Sequence, residues 1–208
     1  VGDRNVAIGY QALTTYNPST NEDSYNVAVG YSAGSSITTG NKNTALGALV
    51  MQSTTTGIDN VGVGYGALNS NTTASNNVAV GNKALLSNTT GDQNVAVGSL
   101  AGDAITTGAQ NTAIGYASLT SATTASSNTA VGRATLNENT SGASNTAVGH
   151  DALESNTTAS NNTAVGAQAL TSNTTGTANT AIGSLTADAL TQGQFNTAIG
   201  HTALGADT

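Results

Sequence analysis

The chain lacks several residue types on which ordinary folded domains depend. It has no cysteine and no tryptophan, and only one proline, one phenylalanine and one methionine. Without cysteine, neither disulfide bonds nor zinc–thiolate centres can form, although the cellular compartment stays open. Aromatic residues make up 3% of the 208 residues. This composition argues against a usual core of large aliphatic and aromatic side chains.

Charge is also scarce, at 7% of residues, and acidic groups outnumber basic ones by 11 to 4. A nucleic-acid partner is therefore not expected, because phosphate contacts need basic side chains, and the chain has only Arg4, Lys42, Lys83 and Arg133. No run of 18 apolar residues occurs, so we expect no membrane insertion by this segment. Because the chain begins at Val1 without methionine, we interpret it as a segment of a longer or processed protein.

Glycine, alanine, serine, threonine and asparagine dominate instead, in a regular repeat of the form N-[VT]-A-[VIL]-G. Twelve asparagines open the copies, and their numbers differ by 21 at the first step and by 17 at every later one: Asn5, Asn26, Asn43, Asn60, Asn77, Asn94, Asn111, Asn128, Asn145, Asn162, Asn179 and Asn196. Glycine occupies the fifth place of every copy, and alanine the third place of all but one, which has Gly62. Such a constant register is not required of a disordered chain and excludes that interpretation.

The repeat predicts one short strand per copy, because its places alternate with a period of two up to the glycine. The glycine should end the strand where the backbone needs positive φ or where another backbone approaches closely. A 17-residue copy has no room for a helix beside the strand and fits one coil of a solenoid. We therefore predict an all-β fold, a parallel β-solenoid of twelve 17-residue rungs in a single domain over residues 1–208. The first rung, 5–25, carries a four-residue insertion, and rungs 26–208 are regular. At ~4.8 Å per rung, the rod is roughly 55–60 Å long.

A swap within the repeat indicates which places share the core. The ninth place is usually leucine, but it shrinks to Gly34, Gly102 or Ala187 in three copies, where the twelfth place becomes Ile37, Ile105 or Leu190. Volume lost at one place returns at the other, so both should face one corner of the core. The asparagine common at the twelfth place must then turn outward or join a ladder along the rod.

The second and fourth places are expected to face inward, which would place the third-place alanines on an outward stripe. A flat stripe of small residues lets another sheet approach closely, so it predicts a chain–chain contact, most simply around a threefold axis, with a flat solvent face as the alternative. Its members are Ala7, Ala28, Ala45, Ala79, Ala96, Ala113, Ala130, Ala147, Ala164, Ala181 and Ala198.

Tyrosines are the candidate recognition residues, because tyrosine is favoured at binding surfaces. Four lie at the sixth place and two in or beside the insertion: Tyr10, Tyr31, Tyr65, Tyr116, Tyr16 and Tyr25. They suggest a glycan or protein receptor as partner. The alternative is that each tyrosine covers a turn and stacks on its neighbour.

No catalytic constellation is recognisable, so we expect a protein that is not an enzyme and has no cofactor or metal. The nearest acidic pairs, Glu22–Asp23 and Asp151–Glu154, are interpreted as solvated surface. His150 and His201 share the sixth place three rungs apart, roughly 14 Å, too far to share an ion. The Asn-Thr-Thr sequons at Asn71, Asn88, Asn156 and Asn173 follow the repeat register and need no glycan to explain them.

The sequence resembles the head repeats of trimeric autotransporter adhesins, which read roughly N-S-V-A-I-G, and Asn5 to Gly9 is the nearest copy. The fuller phrase from Asn111 to Leu119 is also similar to repeats of phage tail fibres and bacterial surface proteins. The resemblance implies a left-handed β-roll, three chains side by side, and attachment at an extracellular, cell or virion surface. The adhesin repeat is usually shorter than this one, whose additional residues lie in the Thr-Thr-Gly segment.

Four functions are consistent with these patterns. A non-enzymatic fibre segment or adhesin that mediates attachment is preferred. The alternatives are a phage tail-fibre shaft for host recognition, a self-assembling extracellular filament subunit and an ice-binding solenoid. Ice binding is disfavoured at this point because the second-place threonines, such as Thr112 and Thr163, are expected to face the core with valine.

Overall fold

A computed structural model describes residues 4–18 and 23–205. Twelve three-residue strands account for the second to fourth places of the repeat: β1 (Val6–Ile8), β2 (Val27–Val29), β3 (Thr44–Leu46), β4 (Val61–Val63), β5 (Val78–Val80), β6 (Val95–Val97), β7 (Thr112–Ile114), β8 (Thr129–Val131), β9 (Thr146–Val148), β10 (Thr163–Val165), β11 (Thr180–Ile182) and β12 (Thr197–Ile199). No helix occurs within these described ranges.

The strands form one parallel sheet in chain order from β1 to β12, and equivalent places pair with each other. Ala113 of β7, for example, lies opposite Ala130 of β8. The four extra residues of the first rung do not shift this register, since Val6 still pairs with Val27. The protein is a parallel β-solenoid in which each 17-residue copy is one coil, as the repeat predicts. Part of the insertion, residues 19–22, lies outside the described residues.

The remainder of each coil also bonds to its neighbours on both sides. The Lys83 amide donates to the Tyr65 carbonyl of the preceding rung at 2.8 Å, and the Leu85 amide donates to the Ala101 carbonyl of the next rung at 3.0 Å. This alternation requires left-handed backbone at the seventh, ninth and seventeenth places, so 33 non-glycine residues among those described have positive φ. The hydrogen bonds between rungs must offset a strain of about 1 kcal/mol at each.

The fifth-place glycines meet two requirements at once. Their φ values lie between 116° and 141°, a region that side chains avoid. For all of them from Gly9 to Gly183, a Cβ atom would also lie 2.3–2.9 Å from the carbonyl oxygen of the same glycine in the next rung. Both reasons expected from the sequence, positive φ and close backbone approach, are therefore confirmed.

The ninth-place leucines form the large apolar part of the core and are fully buried except in the first and last rungs, as Leu85 and Leu136 illustrate. The proposed exchange between the ninth and twelfth places is confirmed by distance. A Cβ added at Gly34 would lie 2.9 Å from Ile37 Cδ1, and one at Gly102 would lie 3.0 Å from Ile105 Cδ1. The isoleucine of these rungs occupies the space that leucine fills elsewhere.

The orientation expected for the strands is wrong. The third-place alanines face the core, and those of β2 to β11 are at most 1% exposed: Ala28, Ala45, Ala79, Ala96, Ala113, Ala130, Ala147, Ala164 and Ala181, with Ala198 also buried and only Ala7 of the first strand exposed. The second and fourth places face outward. The interior of a coil is narrow and already holds a large aliphatic side chain and one or two buried asparagines, so the third place has room for a methyl group and not for a β-branched side chain. The alanines therefore cannot form the predicted chain–chain contact.

A second volume exchange connects adjacent rungs. Gly62 is the one third-place residue that is not alanine, and a Cβ there would lie 2.5 Å from Val50 Cγ1. Val50 occupies the eighth place of the preceding rung, which is usually alanine, and it is fully buried. The larger side chain in one rung thus fills the space that the glycine leaves in the next.

We predict that Gly115→Ala unfolds or severely destabilises the rod, by about 3 kcal/mol or more, since strain and overlap add. The Cβ atom would meet the Gly132 carbonyl oxygen at 2.3 Å with φ at 133°. Gly66→Ala is the matched control, because its φ of 66° is tolerated and the nearest side-chain atom is 3.6 Å away. We expect that variant to cost about 1 kcal/mol. Thermal unfolding followed by circular dichroism measures both, and equal losses would contradict the backbone contact.

A double-mutant cycle tests the packing of Val50 against Gly62. Val50→Ala alone leaves a cavity and is expected to cost about 2 kcal/mol. Gly62→Ala alone overpacks the core and is expected to cost about 1–3 kcal/mol. The double variant restores alanine at both places, as in the Ala67 and Ala79 pair, and should be more stable than the sum of the single losses by about 1 kcal/mol or more, read from unfolding curves. Strict additivity would show that the two side chains do not share this space.

Candidate functional surfaces

The strands present an apolar surface to solvent, which we call the outward sheet face and define as the second and fourth places of β1–β12. The fourth place is valine, isoleucine or leucine in every rung. Seven of these side chains are 36–68% exposed: Ile8, Leu46, Val97, Ile114, Val148, Ile182 and Ile199. The second place is threonine from β7 to β12. The face is therefore a continuous aliphatic rank beside a rank that carries hydroxyl groups in its second half.

The four sixth-place tyrosines are all exposed, by 51–65%: Tyr10, Tyr31, Tyr65 and Tyr116. Tyr10 and Tyr31 stack with ring centroids 5.4 Å apart and planes inclined by 13°. Their spacing is close to the ~4.8 Å separation of strands in a sheet, so the rings lie across the rod axis. The stacking foreseen as the alternative interpretation thus occurs in this pair, and both rings keep an exposed portion.

The two tyrosines near the insertion have local partners. Tyr25 is exposed; its hydroxyl donates to Asp23 Oδ2 at 3.0 Å and accepts from Arg4 Nη1 at 2.6 Å, and Arg4 also lies over its ring. Arg4 forms an ion pair with Asp23 at 2.6 Å. Tyr16 is half-buried, with its hydroxyl against Ser24. The described part of the insertion is therefore stabilised by Arg4 and by contacts among its own side chains.

A cluster of titratable groups lies at the sixth and seventh places of neighbouring rungs. Arg133 contacts His150 Nε2 and forms a 3.4 Å ion pair with Asp151, and His150 Nδ1 lies 3.1 Å from Asp151 Oδ2. Asp151 is buried, so its interpretation as solvated surface is wrong. Burial raises the pKa of the nearby Glu154, and the carboxylates of Asp151 and Glu138 raise it further.

The first-place asparagines form a continuous ladder inside the rod. The backbone N–H of Asn128 donates to Asn111 Oδ1 at 3.0 Å, and the side-chain Nδ2 of Asn111 donates to the Ala125 carbonyl at 2.8 Å. The same pair of contacts joins most of the other described rungs, as between Asn43 and Asn26. Each side chain therefore satisfies a backbone group of its own rung and one of the next, which allows a polar residue to be buried.

The twelfth-place asparagines form a second ladder, which is interrupted. Asn156 Nδ2 donates to Asn139 Oδ1 at 2.8 Å and to the Ala159 carbonyl at 3.0 Å. Where the next rung carries Ile105 or Leu190 instead, the Oδ1 atoms of Asn88 and Asn173 accept no hydrogen bond from any described residue. Of the two fates expected for this asparagine, the ladder is therefore the one that the structure shows.

This second ladder contains five of the six sequon asparagines. Asn71, Asn88, Asn156 and Asn173 are fully buried, as is Asn139 of the sequon Asn139-Thr140-Ser141. A glycan on any of these nitrogen atoms would remove a donor from the ladder and find no space in the core. The folded rod is thus incompatible with glycosylation at these five positions.

Other kinds of site are not found in the described ranges. No enclosed pocket is present, and no group of three or more His, Asp or Glu side chains is placed to hold a metal ion. His150 and His201 lie apart, the latter against the Ser184 carbonyl.

Burial raises the pKa of Asp103, and hydrogen bonds from the backbone amides of Asp103 and Ala104 partly offset this rise. In the same described ranges, no helix has the length and apolarity needed to cross a membrane.

The fold defines the chain as a parallel β-solenoid with small residues and asparagine ladders inside. Comparison with protein-family models, with curated proteins and with solved structures found no match.

We predict that N-linked glycans at the five ladder sequons and the native fold exclude each other. The exposed Asn161 opens a sixth sequon, Asn161-Asn162-Thr163, outside the ladder, so the test uses the Asn161→Ser chain. When this chain is secreted from a glycosylating eukaryotic host, the protease-resistant fraction should carry no N-glycan, as measured by intact mass before and after glycosidase treatment. The matched control adds substitutions of the exposed third residues of the five ladder sequons, Thr73→Ala, Thr90→Ala, Ser141→Ala, Thr158→Ala and Thr175→Ala, which removes these sequons and leaves every buried asparagine. This variant should give a larger folded yield. A folded, glycosylated rod would contradict the buried ladder.

Proposed function

We propose that this chain is a non-enzymatic fibre segment that associates with copies of itself through the outward sheet face and serves attachment to a cell or other surface. The observation that carries the proposal is the aliphatic rank at the fourth place, which runs the length of the sheet. An apolar side chain in every rung is not needed for folding on this face, because it points away from the core.

The size of the face supports self-association. Three residues at ~3.3 Å and twelve rungs at ~4.8 Å give a sheet of roughly 10 by 55 Å, or about 550 Å², in which 17 of the 24 outward places are aliphatic and seven are threonine. Soluble monomers rarely expose contiguous apolar patches larger than a few hundred Å². A second copy is the best-matched occupant, because its own flat face has the same rung spacing and carries no charged side chain at these places.

A threefold arrangement of left-handed coils and a role in attachment follow from the resemblance to adhesin heads and tail fibres. In such a trimer, the second-place and fourth-place ranks of each chain turn towards the common axis, and the sixth-place tyrosines follow at the corner of the coil. The partner outside the assembly would be a glycan or protein receptor, at an extracellular, cell or virion surface. The interface proposed here replaces the alanine stripe.

The mass in solution tests this proposal, and we expect about three chain masses of 20.3 kDa by light scattering. The double substitution Ile114→Glu with Val148→Glu should reduce the mass to that of one chain, because the interface would then bury glutamates of neighbouring chains against each other. The matched control is Thr107→Glu with Ser141→Glu, two exposed positions at the fourteenth place, which should leave the mass unchanged. Circular dichroism checks that both variants stay folded.

Other masses would separate the alternatives. Two chain masses would keep the interface and contradict the trimer, whereas a large, concentration-dependent mass would favour an end-to-end filament. A monomer for the unmodified chain would contradict self-association. A tail-fibre shaft and a cellular adhesin share the trimer and differ only in the receptor.

One observation favours ice binding as a second candidate function. The second-place threonines face outward instead of towards the core, which removes one reason against it, although they form a single rank and not two parallel ones. They form an unbroken rank from β7 to β12: Thr112, Thr129, Thr146, Thr163, Thr180 and Thr197. Hydroxyl groups repeated at the rung spacing on a flat sheet can order water. A monomer would leave this rank free, and inhibition of ice recrystallisation would then be the decisive assay.

A further inference from the structure

We propose that Tyr31, Ala48 and Tyr65 form a slot that binds one neutral pyranose ring of a glycan. The three residues occupy the sixth place of consecutive rungs. The inference rests on the attachment role only for its biological purpose, since the slot belongs to a single chain. It goes beyond general recognition by tyrosine because it names the position and the ligand class.

The stack of Tyr10 on Tyr31 sets the orientation of the slot. These rings are nearly parallel at 5.4 Å, so the opposite face of Tyr31 is directed along the rod towards the next rung. That rung presents Ala48, whose methyl group is too short to cover the ring. One face of Tyr31 is thus packed and the other is left open. The packed face restrains the ring before any ligand arrives, which reduces the entropy cost of binding.

Tyr65 forms the second wall, two rungs from Tyr31. At ~4.8 Å per rung, the two side chains are about 9.6 Å apart, with Ala48 as the floor between them. Rings in favourable contact have centroids about 4.5–7 Å apart, so a single six-membered ring fits midway between the two tyrosines at about 4.8 Å from each. Tyr31 and Tyr65 are the one pair of sixth-place tyrosines separated by a single intervening rung.

The chemistry of the slot favours a sugar over an aromatic side chain of a protein. Both tyrosine rings are more than half exposed, and no enclosed pocket surrounds them in the described ranges. A protein aromatic ring gains affinity when its whole edge is desolvated in a concave site. A pyranose stacks its C–H faces on the rings and keeps its equatorial hydroxyl groups in water or on the phenol oxygens. No charged side chain is present at the three sixth-place positions, which suits a neutral sugar.

Two substitutions test the slot in opposite ways. Tyr65→Ala removes one wall, and Ala48→Tyr fills the gap by continuing the stack from Tyr31. Tyr116→Ala is the matched control, because Tyr116 is equally exposed in the same column but has Ser99 and Arg133 on either side. The probes are cellohexaose, maltohexaose and chitohexaose. Since the chain has six tyrosines and no tryptophan, tyrosine fluorescence and the ring signals in NMR spectra report binding directly.

We expect at least one of the three oligosaccharides to bind at millimolar concentration and to shift the ring signals of Tyr31 and Tyr65. Both Tyr65→Ala and Ala48→Tyr should weaken that binding about tenfold, and Tyr116→Ala should leave it unchanged. Binding by none of the probes, or equal binding by Ala48→Tyr, would overturn the proposal. Preferential binding of N-acetyl-phenylalanine amide would also overturn it and assign the slot to a protein side chain.

The oligomeric mass of the same variants separates this proposal from the proposed function. Unchanged mass with lost sugar binding supports the slot. A change of mass in Tyr65→Ala or Ala48→Tyr would instead make these residues part of the chain–chain interface and overturn the slot. A monomeric protein that still binds the sugar through Tyr65 would keep the slot and contradict self-association.

Discussion

The hydrogen bonds between adjacent rungs are the constraint on which the rest of the molecule depends. They hold each place of the repeat one strand spacing from the same place in the next rung, both in the sheet and around the turns. Every side chain therefore lies next to the side chains at the same place of the rungs above and below. The fifth-place glycines show how strict this is, because the backbone of one rung occupies the position where the Cβ atom of the previous one would lie. A single methyl group there would separate two rungs.

The same constraint explains an unusual composition. A 17-residue coil encloses little space, so the interior holds a large aliphatic side chain, small residues and one or two asparagines per rung, and large aromatic side chains have no place in it. Buried asparagine is acceptable because the ladder supplies a partner at each step, and the unpaired Oδ1 atoms of Asn88 and Asn173 occur where an aliphatic residue interrupts it. Five of the six sequons are a consequence of this ladder, because an asparagine that the core requires is followed by a threonine or serine that completes the motif.

Because the interior is so uniform, differences between rungs are concentrated on the surface. The outward sheet face repeats the same aliphatic rank, as a long contact with a second copy would require, whereas the sixth place varies from tyrosine to arginine, histidine and alanine. A rigid repeat converts such variation into fixed distances along the rod. The proposed slot is of this kind, since its width results from one alanine between two tyrosines and not from any concave pocket.

The sequence by itself determined the strand positions, the register, the role of the fifth-place glycine and the exchange between Gly34 and Ile37, because each is written into a constant period or a paired change of volume. Only the tertiary structure decided which strand face is buried. In a three-residue strand the alternation of side chains is the same whichever face is buried. The narrow interior of the coil has room for the side chain of Ala113 and not for those of Thr112 and Ile114. It also decided that leucines such as Leu85 adopt left-handed backbone and that Val50 packs against Gly62. These features depend on contacts between rungs, and no local propensity encodes them.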